Sequence, residues 1–169
     1  RSVAFRKHAW QAVGGYPEWL DYCEDVIFDL HLRARTPTFG WAPTAVAHFR
    51  PRSSLRAFAR QYYLYARGDG KAGLWPRRHA VRYATYLVVA PLLLALGFRH
   101  RADWGALALG LVAMLFTPYK RLVALTRGWP WAARLAAAIW MPAIRLTGDV
   151  AKMLGYPVGV AWRLRHRRR

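Results

Sequence analysis

Glu24 and Asp25 stand side by side at the head of a run, Val26-Ile27-Phe28-Asp29-Leu30-His31-Leu32-Arg33, whose apolar residues recur at helical spacing. Val26, Ile27 and Leu30 share one face, and Phe28 with Leu32 forms an i,i+4 pair beside it. Carboxylates suit a first helical turn, where unpaired N–H groups carry partial positive charge, and Arg33 with Arg35 suits the last. An ordinary amphipathic helix would read the same way. Charge placement adds something. The chain has 8 Asp and Glu against 27 Lys and Arg, and Glu18, Asp21, Glu24, Asp25 and Asp29 all fall in one short window. A carboxylate in a basic setting can take a proton from a hydroxyl, so general-base chemistry is what this pair could perform.

The surroundings narrow the setting for such chemistry. A formal charge of +19 over 169 residues points to anionic partners, and a 55% hydrophobic content with nine Trp and nine Tyr turns that preference from nucleic acid toward a membrane surface. A nucleic-acid binder would rest on charge alone and would be soluble, with steep salt dependence. The single Cys23 excludes an internal disulfide and is compatible with a reducing compartment. With no initiator Met and no signal-peptide pattern, the start reads as the middle of something, and the chain is expected to be the C-terminal part of a longer protein.

The elements that must position Glu24 and Asp25 follow from turn chemistry. Arg1 to Arg6 is short and alternating enough for a strand, and Lys7 to Val13 has helical spacing. Gly14-Gly15-Tyr16-Pro17 stops that helix, and Thr36-Pro37 ends the acidic one, because the residue before proline is pushed out of the α region. Thr38 to Phe49 reads as extended chain broken at Pro43, with Val46 and His48 on one side. Ser53-Ser54 offers a cap for a helix through Leu55, Phe58, Ala59, Tyr62 and Ala66, with Arg56, Arg60 and Arg67 off that face and Gly68 and Gly70 as its end. The first 76 residues are therefore expected to be an α/β piece, too small to bury a comfortable core alone.

From residue 77 onward a membrane region is expected. Tyr83 to Phe98 and Trp104 to Tyr119 carry no charge and have aromatic edges, so they read as transmembrane helices if their flanking Arg and Lys snorkel, or else as buried helices of a soluble bundle. Residues 131–154 form an amphipathic helix with Arg134, Arg145 and Lys152 on one face, joined by Asp149, opposite Leu135, Ile139, Trp140, Met141 and Ile144. That pattern suits a helix lying in the membrane interface. Pro142 should kink it, Gly155-Tyr156-Pro157 should break it, and Arg163 to Arg169 is a basic tail, either solvated or bound to lipid headgroups.

Ala4-Phe5-Arg6-Lys7, Val13-Gly14-Gly15-Tyr16-Pro17-Glu18, Glu24-Asp25 with Leu30-x-Leu32-Arg33, Val46-Ala47-His48, Arg52-Ser53-Ser54, Arg60-Gln61-Tyr62-Tyr63 and Ala66-Arg67-Gly68 occur in this order. In order and spacing they resemble the C-terminal half of a membrane-associated family 2 glycosyltransferase, over Arg1 to about Gly73. The resemblance implies a GT-A, Rossmann-like α/β fold and a nucleotide-sugar donor. It also implies a divalent metal (Mg or Mn) and inversion at the anomeric carbon. By this similarity Asp25 is the catalytic base and Glu24 its orienting neighbour. Arg52, Arg60 and Gln61 are substrate contacts, the two arginines toward a diphosphate or an acceptor phosphate. His48 resembles a histidine that some relatives place near the metal or diphosphate, although a lone His on a strand is more often a structural residue. The family's Asp-x-Asp metal motif is absent from this chain, and Gln61 is followed by Tyr62-Tyr63 where processive members carry Gln-x-x-Arg-Trp.

The expected function is accordingly non-processive transfer of a sugar, at the membrane, to a sugar or lipid-linked acceptor in cell-envelope polysaccharide or glycolipid synthesis. The protein would be a multi-pass membrane protein with its catalytic part cytoplasmic, and this chain alone would be inactive. A non-catalytic scaffold that holds anionic lipids through its basic helix and tail is the alternative.

Overall fold

A computed structural model describes residues 3–36 and 38–166. Every regular element among them is helical: α1 (Lys7–Ala12), α2 (Glu24–Arg35), α3 (Leu55–Ala72), α4 (Pro76–Gly97), α5 (Arg101–Leu125) and α6 (Trp131–His166). The expected α/β, Rossmann-like fold is therefore wrong for these residues, which contain no strand. Residues 38–50 do run without helix, and Trp41, Val46 and Phe49 are exposed there. A strand, however, is defined by the ladder it shares with a neighbour, and among the described residues no second extended segment pairs with this one. Of the strand expected at the start, Arg1 and Ser2 lie outside the described residues, and Val3 to Arg6 is irregular. Pro37 lies outside them as well, and α2 ends at Arg35 with Thr36 as its C-cap.

The chain divides into two compact units, residues 1–75 with 154–169 and residues 76–153. In the first, α2 buries Phe28, whose ring meets Phe5 at 4.8 Å and Tyr16 at 4.5 Å. Ser54 caps α3 by accepting from the Ala57 amide at 3.2 Å. The helix then continues through Gly68 and Gly70, where the sequence suggests it stops, and ends at Gly73 in the left-handed region. These two glycines serve close approach instead. A Cβ on Gly68 would lie 2.5 Å from the Tyr22 carbonyl oxygen, and one on Gly70 would strike the Tyr156 carbonyl of α6.

In the second unit α4 and α5 form a helical hairpin around Phe98 to His100, with the Trp104 indole laid where a Gly97 side chain would be. Both helices are long and apolar enough to cross a membrane, with mean hydropathy 1.6 and 1.4. A π-helical turn at Thr85–Val89 lies just ahead of Pro91, and its Ala90 amide bonds the Thr85 carbonyl, an i→i−5 link that accommodates the proline.

The helix expected at 131–154 starts at Trp131 but runs unbroken to His166, through both Pro142 and Gly155-Tyr156-Pro157. Of the expected tail, Arg163 to His166 is thus helical, and residues 167–169 lie outside the described ones. A helical proline normally costs about 3 kcal/mol, because it withdraws a donor from the carbonyl four residues back. For Pro142 that carbonyl is Ala138, and Tyr119 Oη donates to it at 2.9 Å; for Pro157 it is Met153, and Tyr83 Oη donates to it at 2.6 Å. Two distant hydroxyls thus replace the missing amides. Tyr119→Phe should therefore destabilise the protein by about 1–3 kcal/mol, the cost of an unsatisfied buried carbonyl. In a Pro142→Ala background the same change should cost little, since the Ala amide can bond Ala138. A double-mutant cycle read by denaturant unfolding in detergent checks this, and equal costs in both backgrounds would refute it.

Candidate functional site

Helix α2 starts from Cys23, which holds the left-handed conformation at φ 68°. A non-glycine residue accepts that strain only when packing fixes it. Here the buried thiol donates to the Tyr65 carbonyl at 3.3 Å and approaches Asp69 Oδ1 at 3.5 Å. Burial first, and then the nearby Asp69, Asp25 and Glu24 carboxylates, push the thiol far above its ordinary range. Cys23 is therefore a tie between α2 and α3 rather than a nucleophile.

The turn thus fixed presents the two acids differently. Asp25 is exposed, and its Oδ1 accepts the Val26 amide at 2.8 Å. Glu24 is half-buried, and its Oε2 is a buried atom with no hydrogen-bond partner. Asp21 is engaged elsewhere, since Arg67 pairs with it and Lys71 Nζ donates to it at 2.7 Å. Burial would raise the Asp21 pKa, but the Lys71 hydrogen bond and the charges of Lys71 and Arg67 outweigh it and hold the carboxyl below the usual range. The acidic window therefore separates into a structural ion pair at Asp21 and a second pair of acids at the helix start.

Alongside lies a pocket of about 600 Å³ lined by Tyr22, Arg52, Arg56, Arg60, Gln61 and Tyr65 together with Ser54, Ala57 and Leu64. Arg52 Nε donates to Gln61 Oε1 at 3.1 Å, and Gln61 Nε2 donates to Tyr65 Oη at 2.6 Å, which sets the amide of Gln61 between them. Three guanidinium groups and no carboxylate face this space, so it suits an anion, with the Tyr22 and Tyr65 rings beside it.

Arg52, Arg60 and Gln61, the expected substrate contacts, therefore come together. Glu24 and Asp25 do not line the pocket; Tyr22, three residues ahead of Asp25, does. The motifs did not single out Arg56, Tyr22 or Tyr65. Arg56 and Arg60 nevertheless stand four apart in α3, as do Gln61 and Tyr65, a spacing that sets each pair on one side of the helix, whereas Arg52 precedes its N-cap. His48 sits exposed in the strandless stretch, and among the described residues no three His, Cys, Asp or Glu side chains gather as a metal site. The resemblance places the divalent metal mainly on an Asp-x-Asp motif that this chain lacks, and no step is assigned to it here.

Neither a protein-family model, a curated protein nor a solved structure matches this chain.

Proposed function

We propose that the chain carries the acceptor side of a membrane-bound, inverting, non-processive glycosyltransferase. The supporting observation is convergence. Arg52, Arg60 and Gln61, taken from two separate family-like motifs, line one pocket with Tyr22, which leads directly into the Glu24-Asp25 turn.

In this reaction the acceptor hydroxyl gives its proton to Asp25 as its oxygen bonds to the anomeric carbon. The bond from that carbon to the nucleotide diphosphate breaks, and the diphosphate leaves with the electron pair. Glu24 orients the acceptor or its neighbour. Arg52, Arg56 and Arg60 supply positive charge to the departing diphosphate or to the phosphate of a lipid-linked acceptor. The chain lacks an Asp-x-Asp motif, so no donor-binding or metal-binding step is given to its residues.

The same reading puts α4 and α5 in the bilayer and the pocket on the cytoplasmic side. Only 6% of each helix's apolar window is buried, whereas a core helix of a soluble protein would be mostly covered, and Leu87, Val88, Leu109 and Val112 are open. The lipid-scaffold alternative loses support, because Arg145 and Lys152, two of its three stripe cations, are turned toward Asp149.

The test uses carbonate-washed membranes carrying the full-length protein and a panel of labelled nucleotide sugars. One donor should give transfer that survives the wash, and Arg52→Ala with Arg60→Ala should lower kcat/KM by at least about tenfold, each lost charge-assisted hydrogen bond being worth about 1.5–3 kcal/mol. Transfer from none of the donors, activity released by carbonate, or a double variant as active as wild type would count against the proposal.

A further inference from the structure

The corner between α5 and α6, within residues 76–153, combines a well-bonded turn with apolar and basic side chains open to the surroundings. Helix α5 ends at Leu125, and its C-cap Thr126 is buried. Thr126 donates to the Leu122 carbonyl twice, through Oγ1 at 2.8 Å and through its amide at 2.9 Å. Gly128 takes the left-handed conformation at φ 88°, and the Trp129 amide returns to the Thr126 carbonyl at 3.0 Å. After Pro130, α6 starts at Trp131. On this corner Leu125 is 75% exposed, Trp129 51% and Trp131 77%.

Lys120, Arg121, Arg127 and Arg134 flank the same turn, and all four are exposed. No Asp or Glu occurs between Asp103 and Asp149, and Asp149 is buried against Arg82 and Arg145. Among the described residues no carboxylate pairs with any of the four. Their charge is therefore open to an anion from outside the chain. A free phosphate or a nucleic acid would use the cations and leave Leu125 and Trp131 in water. A bilayer surface uses both kinds of side chain, because indole rings favour headgroup level and clustered Lys and Arg attract anionic headgroups.

The position along α5 agrees. From Arg101 to Lys120 the helix rises about 28 Å at 1.5 Å per residue, close to the roughly 30 Å thickness of bilayer hydrocarbon. With Arg101 at one surface, Lys120 and Arg121 emerge at the other. The turn between α4 and α5 carries only Arg99 and Arg101, with Asp103 beside them. That bias puts the four-cation corner on the cytoplasmic face, where anionic lipids make the surface potential negative.

We infer that the α5–α6 corner is a docking surface for anionic lipid headgroups of the cytoplasmic leaflet. Lys120, Arg121, Arg127 and Arg134 meet the headgroups, and Leu125, Trp129 and Trp131 enter the boundary with the acyl chains. The inference rests on the reading of α4 and α5 as bilayer-spanning, and it draws on neither the arginine-lined pocket nor the cations at Asp149.

The test is electron paramagnetic resonance of the full chain reconstituted in phosphatidylcholine vesicles, with trace spin-labelled phosphatidylglycerol or spin-labelled phosphatidylcholine. The fraction of label immobilised on the protein gives the relative association of the two lipids. Phosphatidylglycerol should associate at least about fivefold more strongly, the gain expected from even one cation at an anionic surface. Replacing Lys120, Arg121, Arg127 and Arg134 together by Gln should bring the ratio close to one, whereas Arg99→Gln with Arg101→Gln should leave it unchanged. In the wild type about 1 M salt should also remove most of the preference, since screening then acts within about 3 Å. That arm needs no variant and stands even if the fourfold variant does not fold. Equal association of the two lipids, a preference kept by the fourfold variant, one lost with Arg99 and Arg101, or one indifferent to salt would overturn the inference. Immobilised label without preference contradicts this inference alone; no immobilised label of either kind contradicts the bilayer-spanning reading and the inference with it.

Discussion

Replacing Gly159 with Leu should abolish cooperative unfolding of the unit built from residues 1–75 and 154–169. In this unit α3 and the C-terminal part of α6 touch backbone to backbone. A Cβ on Gly159 would strike the Arg67 carbonyl and lie 2.7 Å from the Lys71 amide nitrogen. One on Gly155 would strike the Tyr63 carbonyl, and one on Gly70 would lie 2.8 Å from the Val160 nitrogen. Gly155 and Gly159 are four apart, so both fall on one face of α6, as in the small-xxx-small crossings that let helices approach closely. The obstacle in each case is backbone, which cannot rotate away as a side chain would. Leu at position 159 must push the helices apart along the whole crossing. That would also disturb the Trp19–Trp162 stack at 5.9 Å and the Lys71 ammonium seated 4.8 Å over the Trp162 ring. The expected loss is more than about 4 kcal/mol, in the range reserved for severe core disruption, with Gly159→Ala costing about 1–3 kcal/mol. Denaturant unfolding and limited proteolysis of the full chain in detergent check this. A Leu variant with a wild-type midpoint would show that the helices do not meet in this way.

Much of the helical content was legible residue by residue. The acidic start and the apolar spacing of Glu24 to Arg33 specify α2, and Ser54 with the Leu55–Phe58–Tyr62 spacing specifies α3, because helix periodicity and caps are local properties. The two apolar runs also mark α4 and α5, which extend beyond the uncharged stretches because charged ends can remain helical. What the sequence concealed depends on distant partners. The alternation in Thr44 to Phe49 describes a strand only if another strand lies beside it. The prolines of α6 read as breaks, yet hydroxyls 19 and 70 residues from the carbonyls they serve remove that penalty. Gly68 and Gly70 look like a stop and are instead contact points for another backbone. Arg145 and Lys152 belong to the spacing of a lipid-facing stripe, and only the burial of Asp149 against Arg82, 67 residues away, turns them inward. The same holds for the pocket: α3 carries its arginines at a readable spacing, whereas the closure of Arg52 onto Gln61 is a contact across a turn.

Asp25→Asn in the full-length protein should reduce sugar transfer by about 10²-fold or more while leaving nucleotide-sugar affinity close to wild type. A positioned base contributes typically 10²–10⁴-fold, and an amide cannot accept the acceptor's proton. Asn can still accept the Val26 amide through its oxygen, as Asp25 Oδ1 does at 2.8 Å, and Asp25 is an exposed residue of the first turn, so the local fold should survive. Glu24→Gln should be milder, because that residue orients and does not take the proton. The loss should therefore fall on kcat rather than on donor binding, which separates a base from a binding residue. The direct measurement is turnover of purified wild type and Asp25→Asn beside their donor dissociation constants. A collapse of turnover at unchanged donor affinity is the result expected; near wild-type turnover, or a loss traced wholly to weakened donor binding, would contradict the assignment of Asp25 as the base.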